Sequence, residues 1–419
     1  MLIASAALIL LALLGAPLFA VIAAGALLSF TAIDPSLGVV VADEIYSIAE
    51  MPILLAIPLF TFAGYVLSES EAPGRLVRLT SAVLGWMPGG LAIVSIGACA
   101  FFTAFTGASG VTIIALGAIL YPALQQAGYA ERFNLGLVTA GGSLGLLFAP
   151  SLPLILYGVV AEVSIDDLFK AGLLPGALMM LALSAYALWM NRGNRVPLSE
   201  FSGREVMRAM VEAGWELPLP VVVLGGIYSG LLAVSEAAAV TAVYVVLVEV
   251  VIRREIPLRR MPGIMRESMV LVGGILLILG ASLASTNYVI DMEVPQQLIG
   301  LVTQYVDGRT SFLLLLLLFL LVLGAFLDIF SALVLVVPLI LPVAARYGVD
   351  PVHLGMIFLA TMQLGYLTPP VGLNLFIASY RFNQPIMRVY VATFPFLIIL
   401  LLSVIVITFW PELSLALVD

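Results

Sequence analysis

The stretch Leu364-Gly365-Tyr366-Leu367-Thr368-Pro369-Pro370-Val371-Gly372-Leu373-Asn374 interrupts an apolar run that extends from 352 to 380. The run is long enough to cross hydrocarbon as a helix, yet two prolines stand at its centre. Proline removes a backbone donor and clashes with the preceding turn, so a helix stops there. Unpaired backbone is tolerated at membrane depth only where protein or a water-filled site satisfies it. The stretch therefore predicts a broken transmembrane helix beside a polar site.

The rest of the chain agrees with a membrane setting. Of 419 residues, 63% are hydrophobic and 10% charged, and the mean hydropathy is +1.19. Soluble domains are about 45–50% apolar and about 25% charged. The predicted fold class is all-α integral membrane and polytopic, which excludes a soluble enzyme, a nucleic-acid binder and a disordered chain. The net charge of -8 also argues against a nucleic-acid partner. One cysteine, Cys99, and one histidine, His353, exclude a disulfide framework, a thiolate metal site or a haem. No cluster of acids or histidines is visible at one depth, so the chain is not expected to be an enzyme or to hold a resident cofactor.

An offset of 220 residues relates the break to an earlier one. Pro122 pairs with Pro342, Gly128 with Gly348, Leu144-Gly145 with Leu364-Gly365, Pro150 with Pro370, and Pro175 with Pro395. The earlier break is Ala149-Pro150-Ser151-Leu152-Pro153, inside a span at 133–160. Ahead of each broken span lies a long apolar run with its own interruption. These fall at Thr106-Gly107-Ala108-Ser109-Gly110 in 90–125 and at Asp328-Ile329-Phe330-Ser331 in 311–345. Each run suits a re-entrant hairpin of two half-helices meeting at a tip.

Charge orients the copies. The loops 191–216 and 253–266 carry 9 of the 17 basic residues and read as cytoplasmic. The loop 161–167 is acidic and reads as outside, whereas its counterpart 380–388 carries Arg381 and Arg388 and reads as inside. Arg381 is accordingly expected to be a positive-inside anchor. The copies are then inverted repeats, as in secondary transporters that alternate access around a midplane site. Spans are expected at 2–30, 51–68, 133–160, 168–190, 217–233, 235–252, 264–285, 352–380 and 388–410, with interfacial arms near 71–88 and 287–307. The corresponding division is 1–89 scaffold and arm, 90–190 first repeat, 191–310 scaffold and second arm, and 311–419 second repeat with the C-terminal span.

Half-helix N-termini offer unpaired N–H groups to a carboxylate, and C-termini offer carbonyls to sodium. Candidate sodium residues are Gly107, Ser109, Gly110, Thr112, Asp328, Ser331, Thr368 and Gly372. Candidate substrate residues are Pro150, Ser151, Pro153, Pro369, Pro370 and Asn374. Glycine and serine are also common at plain helix contacts in membranes. Asp328 is equally readable as an N-cap, Glu236 as the cap of its span, and His353 as an interface residue. Gln363 either lines the moving part or pairs with a neighbouring helix.

Leu367-Thr368-Pro369-Pro370-Val371-Gly372-Leu373-Asn374-Leu375-Phe376 resembles the signature of the large membrane subunit (DctM-like) of tripartite ATP-independent periplasmic (TRAP) transporters. So do Ala56-Ile57-Pro58-Leu59-Phe60 with Ala63-Gly64, Pro150 to Gly158, Gly226 to Gly230, and Glu236 to Val240. The resemblance implies a multi-pass permease of a bacterial or archaeal inner membrane, driven by Na+ as coupling ion. It implies uptake of an organic acid such as a C4-dicarboxylate or sialic acid. The implied partners are a periplasmic substrate-binding protein, a separate small four-helix membrane subunit and membrane lipid. It also implies an ion-transporter-superfamily-like fold of elevator type. A stand-alone sodium–carboxylate symporter is the alternative. Against the family pattern, the first tip reads Gly107-Ala108-Ser109 with one hydroxyl fewer, and Ile329-Phe330 replaces a small polar residue.

Overall fold

The structure is a computed structural model that describes residues 6–8, 10–11, 14–87, 89–192 and 202–418. Its described residues form helices and turns without a strand. In chain order the main helices are α1 (Leu18–Ile33), α2 (Gly38–Ser47), α3 (Ala56–Glu69), α4 (Ala72–Leu84), α5 (Gly90–Thr106) and α6 (Ser109–Gln126). There follow α7 (Glu131–Gly141), α8 (Leu152–Val160), α9 (Ile165–Met190), α10 (Gly203–Glu212), α11 (Pro218–Tyr228) and α12 (Val234–Val246). The last group is α13 (Met261–Asp291), α14 (Val294–Tyr305), α15 (Arg309–Phe326), α16 (Ile329–Arg346), α17 (Pro351–Gly365), α18 (Leu373–Arg381), α19 (Ile386–Phe409) and α20 (Glu412–Leu415).

Eight helices among the described residues are long and apolar enough to cross a membrane. The pair Glu131–Leu147 and Leu152–Val160, bent by 43° at its break, has the length and composition of a ninth when taken together. The two interrupted runs are helix pairs, α5/α6 and α15/α16, broken where expected; three of these four arms, Ser109–Gln126, Arg309–Phe326 and Ile329–Arg346, are themselves of span length rather than half-helices. The two broken spans are α7/α8 and α17/α18. Backbone detail repeats as well: Gly128 and Gly348 are both left-handed, with φ of +86° and +67°. Pro122 and Pro342 both lie inside helices, as do Pro175 and Pro395.

The remaining helices surround this set. The 31-residue α13 packs on α1, α2, α3 and α16, and α3 packs on α12. The helix α4 leads into the first pair, packs against α5, and also lies against α10.

Several expected boundaries change. The predicted span 2–30 is interrupted at Gly15-Ala16-Pro17, helical residues 6–8 and 10–11 preceding the break and the helix Leu18–Ile33 following it; residues 1–5, 9, 12 and 13 lie outside the described residues. The acidic stretch 31–50 is not a plain loop, because Gly38–Ser47 is helical. The predicted span 217–233 shrinks to Pro218–Tyr228, 11 residues. At about 1.5 Å per residue that helix reaches about half the hydrocarbon thickness. It ends where Gly230 turns back at φ +70°. Hydropathy alone does not register such a turn.

His353, near the start of α17, is fully buried within the protein. Its Nε2 lies 3.3 Å from the Thr408 carbonyl and so donates, leaving Nδ1 to accept from the Ser414 hydroxyl at 3.1 Å. The histidine thereby ties the start of α17 to the C-terminal segment. Glu236 does cap its helix, accepting the Ala233 N–H at 2.9 Å.

Candidate functional site

The first tip is formed by Gly107 and Ala108 between the C-terminus of α5 and the N-terminus of α6. Gly107 has φ +64°, a left-handed conformation suited to a helix end. A Cβ there would stand 2.4 Å from Leu152 Cγ, so the tip touches the first break. Its N–H donates to the Thr103 carbonyl at 2.8 Å. The later carbonyls of α5 have no intrahelical donor. On the other side α6 starts without a side-chain cap. A cation-preferring helix end and an anion-preferring one thus meet at one point.

Ser109 joins this tip to the other half of the chain. Its hydroxyl donates to Asn374 Oδ1 at 2.7 Å, across 265 residues of sequence. Asn374 is fully buried, and its Nδ2 has no hydrogen-bond partner. Buried polar groups are normally paired, so this donor is left for a further group, as are the buried Asn134 Oδ1 and Gln363 Oε1 acceptors elsewhere among the described residues. Gly110 packs close to α18, where a Cβ would stand 2.6 Å from the tip of Ile377 at Cδ1. Thr112 faces inward. Thr103 Oγ1 lies 2.7 Å from both the Thr112 hydroxyl and the Gly142 carbonyl. With one proton on each hydroxyl, Thr112 donates to Thr103 and Thr103 to Gly142.

The second tip is closed on itself. Asp328 Oδ1 accepts the Phe330 and Ser331 N–H groups, both at 3.0 Å, and Oδ2 accepts the Ser331 hydroxyl at 2.5 Å. The Ile329 N–H donates to the Tyr366 hydroxyl at 2.8 Å. The N–H groups of Ile329, Phe330 and Ser331 are thereby paired, and Asp328 is an N-cap. Of the two readings of Asp328, ion-site residue or cap, the geometry shows the cap. The sequence did not mark Tyr366, although it belongs to the interrupted stretch.

The two breaks differ in exposure. At the first, Pro150, Ser151 and Pro153 are buried, and the Ser151 hydroxyl donates to the Leu146 carbonyl at 2.5 Å. At the second, Pro369 and Pro370 are exposed and Val371 is 41% exposed. Gly372, at φ +50°, donates to the Ala325 carbonyl at 3.3 Å. A Cβ on it would stand 2.9 Å from the Thr368 carbonyl and 3.0 Å from that of Tyr366. Two carbonyl oxygens therefore crowd the side of Gly372 where only glycine fits, while that of Ala325 takes its N–H. The Thr368 hydroxyl donates back to the Leu364 carbonyl at 3.0 Å.

The tips and breaks are assembled crosswise. Helix α6 of the first pair packs along α18 of the second broken span, and α16 of the second pair packs along α8 of the first. Arg381 reinforces one crossing, with Nε donating to the Ile114 carbonyl of α6 at 3.0 Å. It is thus a tether between halves as well as a charge. Two close approaches seat the tips. Gly64 of α3 lies against Phe105 and Thr106, and Gly324 of α15 lies against Gly365, with a Cβ on Gly365 placed 2.5 Å from Gly324.

One charged cluster lies away from this centre. Arg75 of α4 is 2% exposed and is surrounded by Glu216, Glu249 and Glu255. Glu216 Oε1 lies 2.5 Å from the guanidinium and Glu249 Oε2 3.4 Å, and Glu255 also bonds it directly. Glu255 further accepts the Glu71 N–H at 2.8 Å. Burial works to raise the Glu255 pKa, but the hydrogen bonds from Arg75 and the Glu71 N–H outweigh it and hold the carboxyl below its ordinary 4.5. No sequence signal picked out this cluster, whose partners lie 141 to 180 residues apart.

Broken helices, crossed hairpin-like pairs and an orphaned amide at their meeting point define a polytopic membrane protein of transporter type. A transporter of Alcanivorax borkumensis, YdaH, has a similar fold, with a TM-score of 0.59 over 89% of this chain and 87% of that one, at 13% identity. The family model described as "Tripartite ATP-independent periplasmic transporter, DctM component" matches residues 3–413. The chain belongs to that family and is a large permease subunit, not an enzyme. It is 35% identical over 377 residues to the C4-dicarboxylate TRAP transporter large permease protein DctM of Pseudomonas aeruginosa, covering 90% of this chain and 88% of that one. It is 32% identical over 414 residues to the ectoine/5-hydroxyectoine large permease UehC of Ruegeria pomeroyi, covering 98% and 97%. The isethionate permease DctMQ of Oleidesulfovibrio alaskensis is 36% identical over 368 residues, 86% of this chain and 57% of that longer one. The chain thus spans little more than half the length of that relative.

Proposed function

We propose that this large permease subunit uses a sodium gradient to import a small organic acid across a bacterial inner membrane. A C4-dicarboxylate, a sialic acid or a related carboxylate is the expected class. The named relatives handle C4-dicarboxylates, isethionate and ectoines, all small solutes with an acidic group. A soluble periplasmic binding protein delivers the solute, and a separate small membrane subunit completes the complex.

The observation that carries the reading is the Ser109–Asn374 contact with its unpaired amide. A carboxylate placed there meets Asn374 Nδ2 and the uncapped start of α6. Sodium takes the carbonyls at the end of α5 and those around Gly372. Ion and acid then sit side by side, which couples their binding. The hairpin-like pairs act as re-entrant elements, and the blocks 90–160 and 311–380 slide as an inverted-repeat unit against the other helices. Exposure of Pro369 and Pro370 beside the basic 380–388 loop supports a conformation open toward the cytoplasm.

The test is uptake into proteoliposomes holding this chain with its small subunit, offered labelled organic acids. Uptake that requires both an inward sodium gradient and the binding protein is expected. Uptake indifferent to sodium would overturn the coupling. Uptake without any binding protein would overturn the tripartite reading in favour of a stand-alone symporter.

A further inference from the structure

Tyr366 directly follows α17 and opens the interrupted stretch. It is 3% exposed, and it bonds in two directions. Its hydroxyl accepts the N–H of Ile329, the first residue of α16, at 2.8 Å. Its main-chain carbonyl accepts the N–H of Asn374, the second residue of α18, at 3.2 Å. The side chain therefore grips the second tip, while the backbone grips the residue whose amide meets Ser109. The stretch between is tied to the same helix pair again, through the Gly372 N–H on the Ala325 carbonyl at 3.3 Å. Second tip, second break and Asn374 are thus joined through one buried residue.

The offset of 220 residues shows that this arrangement belongs to one half alone. Asp328 stands where the first tip has Ala108, and Tyr366 stands where the first broken span has Leu146. Ala108 and Leu146 carry no side-chain acceptor, and α6 begins uncapped. Asp328 and Tyr366 instead take the N–H groups of Ile329, Phe330 and Ser331. The polar pair is distributed the opposite way: Ser109 and Asn374 correspond to Ile329 and Leu154. Once the bonds are known, the differences form a pattern. One crossing keeps a polar pair with a spare donor, and the other tip is held shut by its own side chains.

We propose that Tyr366 is a positioning residue for solute uptake. Holding Ile329 by its hydroxyl and Asn374 by its carbonyl, it sets where the Asn374 amide lies beside Ser109. It acts through Asn374 and not on the solute. Small displacements of a group that orients a ligand cost large factors in rate or affinity. The inference rests on the reading of Ser109 and Asn374 as the solute site.

The experiment is uptake kinetics in proteoliposomes holding this chain with its small subunit and binding protein, using a labelled organic acid that the unaltered complex transports. Tyr366→Phe should raise KM about fivefold and leave kcat within about twofold. In an Asn374→Ala background the same change should alter kcat/KM by less than about twofold, because the group it positions is gone. Tyr366→Phe leaves the Ile329 N–H buried and unpaired, which also lowers stability. Ile329→Pro therefore tests the same bond from its other end. Proline is accepted at the first position of a helix, and Asp328 ahead of it is already extended, at φ -72° and ψ 157°. This variant removes the donor instead of orphaning it and should reproduce the higher KM. A normal KM in both Tyr366→Phe and Ile329→Pro, with Asn374→Ala impaired, would overturn the positioning role and leave the site reading standing. Losses that multiply in the double variant would overturn it too, because they mark a general loss of packing. Normal uptake by Asn374→Ala would remove the site itself, and the inference with it.

Discussion

Asn374 is fully buried with one amide atom unpaired, and turning the amide over exchanges which atom that is. In one orientation a donor waits for a carboxylate, and in the other an oxygen waits for a cation. A serine hydroxyl both donates and accepts, so Ser109 pairs with the inner amide atom in either orientation; as placed, it donates to Oδ1 at 2.7 Å. Ser109→Ala removes that partner and leaves both amide atoms unpaired. Its expected effect is a fall in kcat/KM for uptake of about tenfold, or about 1.4 kcal/mol, with folding largely retained. Initial-rate measurements over a range of substrate concentration check it. Gly107 behaves differently, because its left-handed backbone and its closeness to Leu152 both exclude a Cβ. Gly107→Ala should lower stability by about 1–3 kcal/mol, read as a lower unfolding temperature in detergent. These residues were legible in the sequence because glycine, serine and proline punctuate apolar runs. Tyr366 was not, since an aromatic residue beside a break carries no mark of the hydrogen bond it will make.

At the scale of elements, both interrupted pairs and both broken spans were legible, because proline and glycine stop a helix wherever they fall. The capping role of Asp328 was one of two readings, and only the positions of the Phe330 and Ser331 amides decide it. The short α11 was not legible, since its composition matches that of a span and its length is set by a turn at Gly230. Nor was the Arg75 cluster, whose charges meet only through tertiary packing. Removing Arg75 leaves three carboxylates crowded together without their cation. Arg75→Ala should therefore cost about 3–5 kcal/mol, the range for breaking a buried ion pair, and should loosen α4 first. Hydrogen exchange over residues 72–84 distinguishes this from general unfolding. The pH dependence follows from the lowered pKa of Glu255. A group held below its unfolded value contributes stability above that value, here 4.5, and loses it as pH falls through the folded one. Acid unfolding curves of the unaltered protein should thus fall away below about pH 4.5, whereas Glu255→Gln should be flatter over the same interval.

For the whole molecule, the crosswise assembly matters most. Each half supplies a pair whose second arm packs on the broken span of the other half, so the two halves interlock. The offset of 220 residues revealed the matching breaks but not this exchange, because a repeat in sequence is silent about which copies touch. It also gave no sign that one tip would be sealed and the other open. That asymmetry places the expected chemistry at the first tip and the second break, where Ser109 and Asn374 meet. The most direct measurement is the initial rate of sodium-driven uptake by Asn374→Ala beside the unaltered chain, both in proteoliposomes with the small subunit and binding protein. The account predicts at least a tenfold loss for the variant at equal protein content and an unchanged unfolding temperature. A variant that transports at the normal rate, with normal sodium dependence, would contradict it.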